Sequence, residues 1–210
     1  MRLEYKSEEP VYGENYDRGY IAFGYGSNHF ASKGIAYFTR LSRLGDVKVS
    51  HALIVTGPDS CIEARYHGGV QEGSLKQYFD DEKYQLFLRK PRNLTSEIAT
   101  SIIEKAATQL NCKYDTALLL SQAVNGSFLG KILDRTFGNS ADLMLSALVN
   151  SEARWVCSEL VAYAMDNHPE YHDKGILKDP HETIDPQELF EDTELFEPWH
   201  MEIVETQASA

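Results

Sequence analysis

Cysteine is scarce in this chain. There are three in 210 residues, Cys61, Cys112 and Cys157, separated by 51 and 45 positions, with no Cys-x-x-Cys pair. An odd count at long spacing excludes a disulfide framework and a zinc knuckle. Basic residues are missing from the C-terminal end: none follows Lys178, whereas ten acids fall between Asp179 and Glu205. Residues 1–178 hold all 20 Lys and Arg against 22 of the 32 acids, so most of the formal charge of −12 sits in the last segment. Nucleic acid and anionic lipid need a concentrated basic surface. Neither is an expected partner, and a cationic or amine-bearing ligand suits the charge better. No apolar run approaches the roughly 18 residues that a membrane helix needs, so no integral membrane association is expected. The opening Met1-Arg2-Leu3-Glu4-Tyr5-Lys6 is charged and lacks the apolar core of a signal peptide. The expected setting is cytoplasmic.

What is present is an ordinary globular composition, 42% hydrophobic and 25% charged, with twelve Tyr and nine Phe to fill a core. The length suits one domain with a modest insertion. Residues 1–18 read as an irregular lead-in. Gly19 to Gly26 reads as a strand ending in a Gly-rich turn. Ser50 to Thr56, Ser60 to Arg65, Gly69 to Glu72 and Tyr84 to Arg89 are short β-like runs, with a short helix at Leu75 to Phe79. Gly57-Pro58 marks a turn between the first two. The period then changes. Thr95 is a candidate N-cap, and Ile98, Ile102, Ile103, Ala106 and Leu110 repeat at helical spacing. Asp115 to Val124 and Cys157 to Asp166 read as further helices, with a Gly-interrupted helical insertion at 125–154 and an acidic tail at 197–210. Strands first and helices after give an α+β expectation, an antiparallel sheet or small barrel packed on helices. No repeat is visible, and the sequence sets no oligomeric state.

Three residues suggest chemistry. Cys157 opens a helix pattern, where free backbone N–H groups and the dipole favour a thiolate; a small buried hydrophobe is the alternative. His51 opens the apolar strand Ala52-Leu53-Ile54-Val55, which would hold its ring at a fixed angle. The other histidines lie in polar or Gly-rich context. Glu63 lies 12 residues after His51 between Ile62 and Ala64. If the two strands pair through the Gly57-Pro58 turn, both side chains share a face, and the carboxylate can orient the imidazole. A zinc site from His51, Cys61, Glu63 and His67 is a further reading, but the spacing fits no ligand pattern. No metal and no cofactor is expected.

These pieces resemble the circularly permuted NlpC/P60-type papain-like cysteine peptidases and amidases, in particular the YiiX-like branch. The resemblance is carried by Ser50-His51-Ala52-Leu53-Ile54-Val55, Ile62-Glu63-Ala64, Tyr114-Asp115, Cys157-Ser158-Glu159-Leu160-Val161 and Asp185-Pro186-Gln187-Glu188-Leu189. It spans residues 19–196, and the order His, acid, Tyr, Cys is the permuted one. It implies a permuted papain-like fold in which Cys157 is the nucleophile, His51 the base and then acid, and Glu63 the orienting residue. Tyr114 would help hold an oxyanion beside the backbone N–H of Cys157. The implied activity is hydrolysis of an amide bond in a peptide or related acyl substrate. Lipid-directed acyltransferases or thioesterases share that chemistry, and an inert binding module is the alternative of another class. The insertion at 125–154 and the acidic tail depart from the pattern. Glu159 stands one turn from the thiol, as a helix cap or a bias toward amine-bearing substrates.

Overall fold

The computed structural model of the chain describes residues 2–5, 10–26, 47, 49–65, 68–114, 154–198 and 201–204, with backbone alone considered at 2–5, 114, 154–155 and 201–204. In chain order its elements are β1 (Arg2–Tyr5), β2 (Ile21–Gly26), β3 (His51–Val55), β4 (Ser60–Arg65), β5 (Gly69–Ser74), α1 (Lys76–Phe79), β6 (Tyr84–Arg89), α2 (Ser96–Ala107), β7 (Lys113–Tyr114), β8 (Arg154–Trp155), α3 (Cys157–Asp166), α4 (Pro186–Glu191) and β9 (Met201–Val204). Two 3-10 turns, Gly175–Lys178 and His181–Thr183, lie between α3 and α4.

The architecture is α+β. Five antiparallel strands form one sheet in the order β5-β4-β3-β2-β6. Among the described residues the sheet is open, with β5 and β6 at its edges, so the expectation of a sheet or small barrel resolves to the sheet. It is covered on both faces, which is why the middle of β3 is apolar at every position rather than alternating. On one face Ile21, Phe23, Ala52, Ile54, Ile62, Ala64 and Val70 pack with α2, α3 and α4. On the other, Ala22, Leu53, Val55, Cys61 and Leu86 form a second, smaller core with Tyr16, Leu75 and Tyr78.

The helices form where their end signals stand. Thr95 Oγ1 accepts the Ile98 N–H at 3.3 Å, and Ile98, Ile102 and Ala106 of α2 are buried. Ile103 and Leu110 are only partly buried, Leu110 because it lies beyond the helix end. Asp185 caps α4 through Oδ1, which accepts the N–H groups of Gln187 at 2.7 Å and Glu188 at 2.8 Å. The Gln187 side chain then reaches the chain ahead of β3. Its Oε1 accepts the Val49 N–H at 2.9 Å, and its Nε2 donates to the Val47 carbonyl at 3.2 Å. Arg89, buried at the end of β6, donates to the carbonyls of Phe190, Asp192 and Glu197. Its guanidinium also lies over the rings of Phe190 and Phe196, 5.5 and 5.1 Å from their centroids.

The ends of the chain depart from expectation. The lead-in and the tail are not wholly irregular, because β1 and β9 pair antiparallel, with Leu3 opposite Ile203 and Tyr5 opposite Met201. Arg2–Tyr5 alternates polar and apolar over four positions and Met201–Val204 over only three, too few to signal a strand without a partner some 200 residues away. The helix expected at Asp115 to Val124 lies outside the described residues. So does the 125–154 insertion, apart from Arg154, which opens β8. Among the described residues no helix is long and apolar enough to cross a membrane.

Candidate active site

The register of β3 and β4 sets Leu53 opposite Glu63 and Val55 opposite Cys61. Side chains alternate along a strand, so His51, Leu53, Glu63 and Arg65 share one face, with His51 diagonal to Glu63. The two meet: His51 Nε2 and Glu63 Oε2 are 2.7 Å apart. The turn that brings them together is closed by the Thr56 N–H on the Ser60 carbonyl, 2.8 Å. Glu63 is wholly buried, whereas the His51 side chain keeps 18% of its exposure.

Cys157 arrives from the other side of the chain. Lys113 and Tyr114 of β7 pair in parallel with Arg154 and Trp155 of β8, and α3 begins two residues after Trp155. Val156, the N-cap, offers no side-chain acceptor, so first-turn N–H groups stay available beside the sulfur. Glu159 Oε2 accepts the N–H of Val156 at 3.3 Å, which makes it a cap for α3. Ser158 turns away and donates to the Ile184 carbonyl, 2.7 Å. The thiol of Cys157 meets the imidazole of His51, the first residue of α3 against the first of β3. Glu63 occupies Nε2 of that ring.

The electrostatics follow from this packing. Burial alone would push the His51 imidazole down. The hydrogen bonds and negative charge of Cys157 and Glu63 outweigh it and raise the imidazole from 6.5 to about 10. Burial pushes the Glu63 carboxyl up, but His51, Tyr78 and Arg65 together hold it below its ordinary value. The arrangement is therefore a buried carboxylate beside an imidazole whose proton affinity is raised, with the Cys157 side chain on the ring's other side.

Four residues not singled out by sequence complete the surroundings. The Tyr78 hydroxyl donates to Glu63 Oε2, and Arg65 Nε stands 3.1 Å from Oε1, an ion pair rather than an aligned hydrogen bond. Tyr84 packs its ring 4.8 Å from that of Tyr78 and crosses Gly24, where a Cβ would stand 2.0 Å from the Tyr84 hydroxyl oxygen. Burial and then the charges of Glu63 and Cys157 push the Tyr84 phenol up. Gly73 leaves room for the carboxylate, since a Cβ there would lie 2.6 Å from Glu63 Oε1. Arg65 was legible, being two positions after Glu63 on the same strand face. Tyr78 was not, because α1 belongs to no pattern that points at β4.

The remaining candidates separate. The backbone of Tyr114 stands opposite Trp155, near the start of α3; its side chain lies outside the described residues. Cys61 is buried on the Glu63 face, and burial, then the Glu63 charge, push its thiol far up, so it remains protonated near neutral pH. His29, His67 and His200 lie outside the described residues. His172 is exposed, while His168 and His181 are partly buried. His172 and His181 both pair with Asp166, at 3.2 and 3.1 Å. Among the described residues no three His, Cys, Asp or Glu side chains are grouped as metal ligands. The chain matches no family model and no curated protein, which leaves the meeting of His51, Glu63 and Cys157 as the ground for its chemistry.

Proposed function

We propose that the protein is a thiol-dependent hydrolase of the permuted NlpC/P60 papain-like kind, cleaving an amide or related acyl bond. One observation carries this reading: the His51 imidazole stands between the buried Glu63 carboxylate and the Cys157 thiol. The proton of the thiol passes to the imidazole. Cys157 Sγ then forms a bond to the substrate carbonyl carbon, and the π electrons move onto oxygen. The backbone N–H of Cys157 donates to that oxyanion, and the resemblance assigns the second donor to the Tyr114 hydroxyl. The imidazolium gives its proton to the leaving nitrogen as the C–N bond breaks, leaving a thioester. Water, deprotonated by His51, attacks the thioester carbon; the C–S bond breaks and the thiol is restored. Glu63 holds the ring's orientation throughout and stabilises its charged form.

Labelling with iodoacetamide tests this, because the three thiols differ in exposure. Cys112 is half-buried, while Cys157 and Cys61 are buried. Exposure alone ranks Cys112 first. Ion-pair activation ranks Cys157 first at about pH 6, where an ordinary thiol is almost wholly protonated. Peptide mapping after brief labelling is expected to find the modification on Cys157. Labelling led by Cys112 would mean an inert module that keeps the fold without the reaction.

A further inference from the structure

A carboxylate with no exposure needs donors for its lone pairs. Glu63 finds two donors and one cation, on three elements. On Oε2 it receives His51 of β3 and the hydroxyl of Tyr78 of α1; Oε1 faces Arg65 of its own strand. The donors are themselves linked. Arg65 Nη2 donates to the Tyr78 hydroxyl at 3.0 Å and to Gln77 Oε1 at 2.8 Å. That hydroxyl thus accepts from the guanidinium and donates to the carboxylate. The guanidinium also lies 5.6 Å from the Tyr78 ring centroid. Tyr78 is fixed from below, since the first N–H of α1, on Lys76, donates to Asp59 Oδ1 in the β3–β4 turn at 2.9 Å. The turn that aligns His51 with Glu63 therefore also seats Tyr78.

We propose that Tyr78 and Arg65 are positioning residues: Tyr78 by donating to Glu63 and Arg65 by its ion pair keep the carboxylate ionised and its Oε2 aimed at His51, and so set the acid limit of the Cys157–His51 ion pair. The proposal rests on the hydrolase reading of that pair. The titratable groups around Glu63 are His51 of β3, Cys61 and Arg65 of β4, Tyr78 of α1 and Tyr84 of β6, with Cys157 of α3 beyond the imidazole. Arg65 is the permanent cation among these. A carboxylate that loses a donor takes up a proton at higher pH. A neutral Glu63 no longer balances the imidazolium, and the proton returns to sulfur.

The test is the rate of Cys157 modification by iodoacetamide, followed by mass spectrometry from about pH 4 to 9. It compares the unaltered protein with Tyr78→Phe, Arg65→Met and Arg65→Lys. The acid-side midpoint is expected to move up by about one pH unit in Tyr78→Phe, the size of one hydrogen bond to a charged group. Arg65→Met moves it in the same direction, and Arg65→Lys, which keeps the charge, moves it less. Arg65 is 36% exposed, so its variants keep the test open even where Tyr78→Phe folds poorly. A purely structural role would lower the melting temperature and leave every midpoint in place, which overturns the proposal. Fast labelling of the unaltered protein with unmoved midpoints sinks the positioning role alone. Slow labelling of Cys157 in the unaltered protein sinks the hydrolase reading and this inference together.

Discussion

Glu63 shows how much one side chain decides here. Its folded carboxyl lies below its ordinary value of 4.5, so its contribution to stability is present above that pH and is lost as pH falls through the folded value. His51 runs the other way. Its contribution is full below 6.5 and is lost as pH rises toward about 10. The pair therefore stabilises the fold most between those two ordinary values. Glu63→Gln is expected to cost about 2–3 kcal/mol at mid-acid pH, or about 5–10 °C in melting temperature. The gap between variant and unaltered protein should narrow toward pH 10 in a calorimetric series; a gap that widens with alkalinity would contradict the sign. The pairing of His51 with Glu63 was legible because a strand has a period of two and the intervening turn was marked by Gly57-Pro58. Cys157 was legible from its place at a helix start. Tyr78 and Tyr84 were not, since aromatic residues near a turn look the same in sequence whether they fill a core or hold a carboxylate.

Among the elements, β4 and β5 meet closely at the site. Cys61 faces Gly73 across the ladder, and the Gly73 position borders both the Cys61 sulfur and the Glu63 carboxylate. An added methyl would stand 3.2 Å from that sulfur as well as against Oε1. Gly73→Ala is expected to cost about 1–3 kcal/mol through overpacking. It should also slow Cys157 labelling at about pH 6, because the displaced carboxylate no longer meets the imidazole squarely. Unchanged labelling with a lowered melting temperature would place Gly73 in the core alone. The elements themselves were readable where local signals agreed: β4, β6 and α3 fall where periodicity and punctuation put them. The strand pair β1–β9 was hidden because its information is split between the two ends of the chain.

At the scale of the molecule, the sheet is held from behind by residues far along the sequence. Arg89 fastens three carbonyls between Phe190 and Glu197 to the end of β6. Arg89→Met is expected to remove about 3 kcal/mol and to open the 190–197 segment to limited proteolysis. Digestion that cuts elsewhere first would refute the clamp. Gln187 does a related service at the start of β3, standing in for a neighbouring strand beside Val47 and Val49, two residues from His51. Biosynthesis proceeds from the amino end, so His51 leaves the ribosome first, Cys157 much later and Gln187 later still. A nascent chain already displaying its cysteine still lacks the brace behind its histidine. On the proposed reading, the surroundings of the base are thus complete only once Gln187 has been added to the chain.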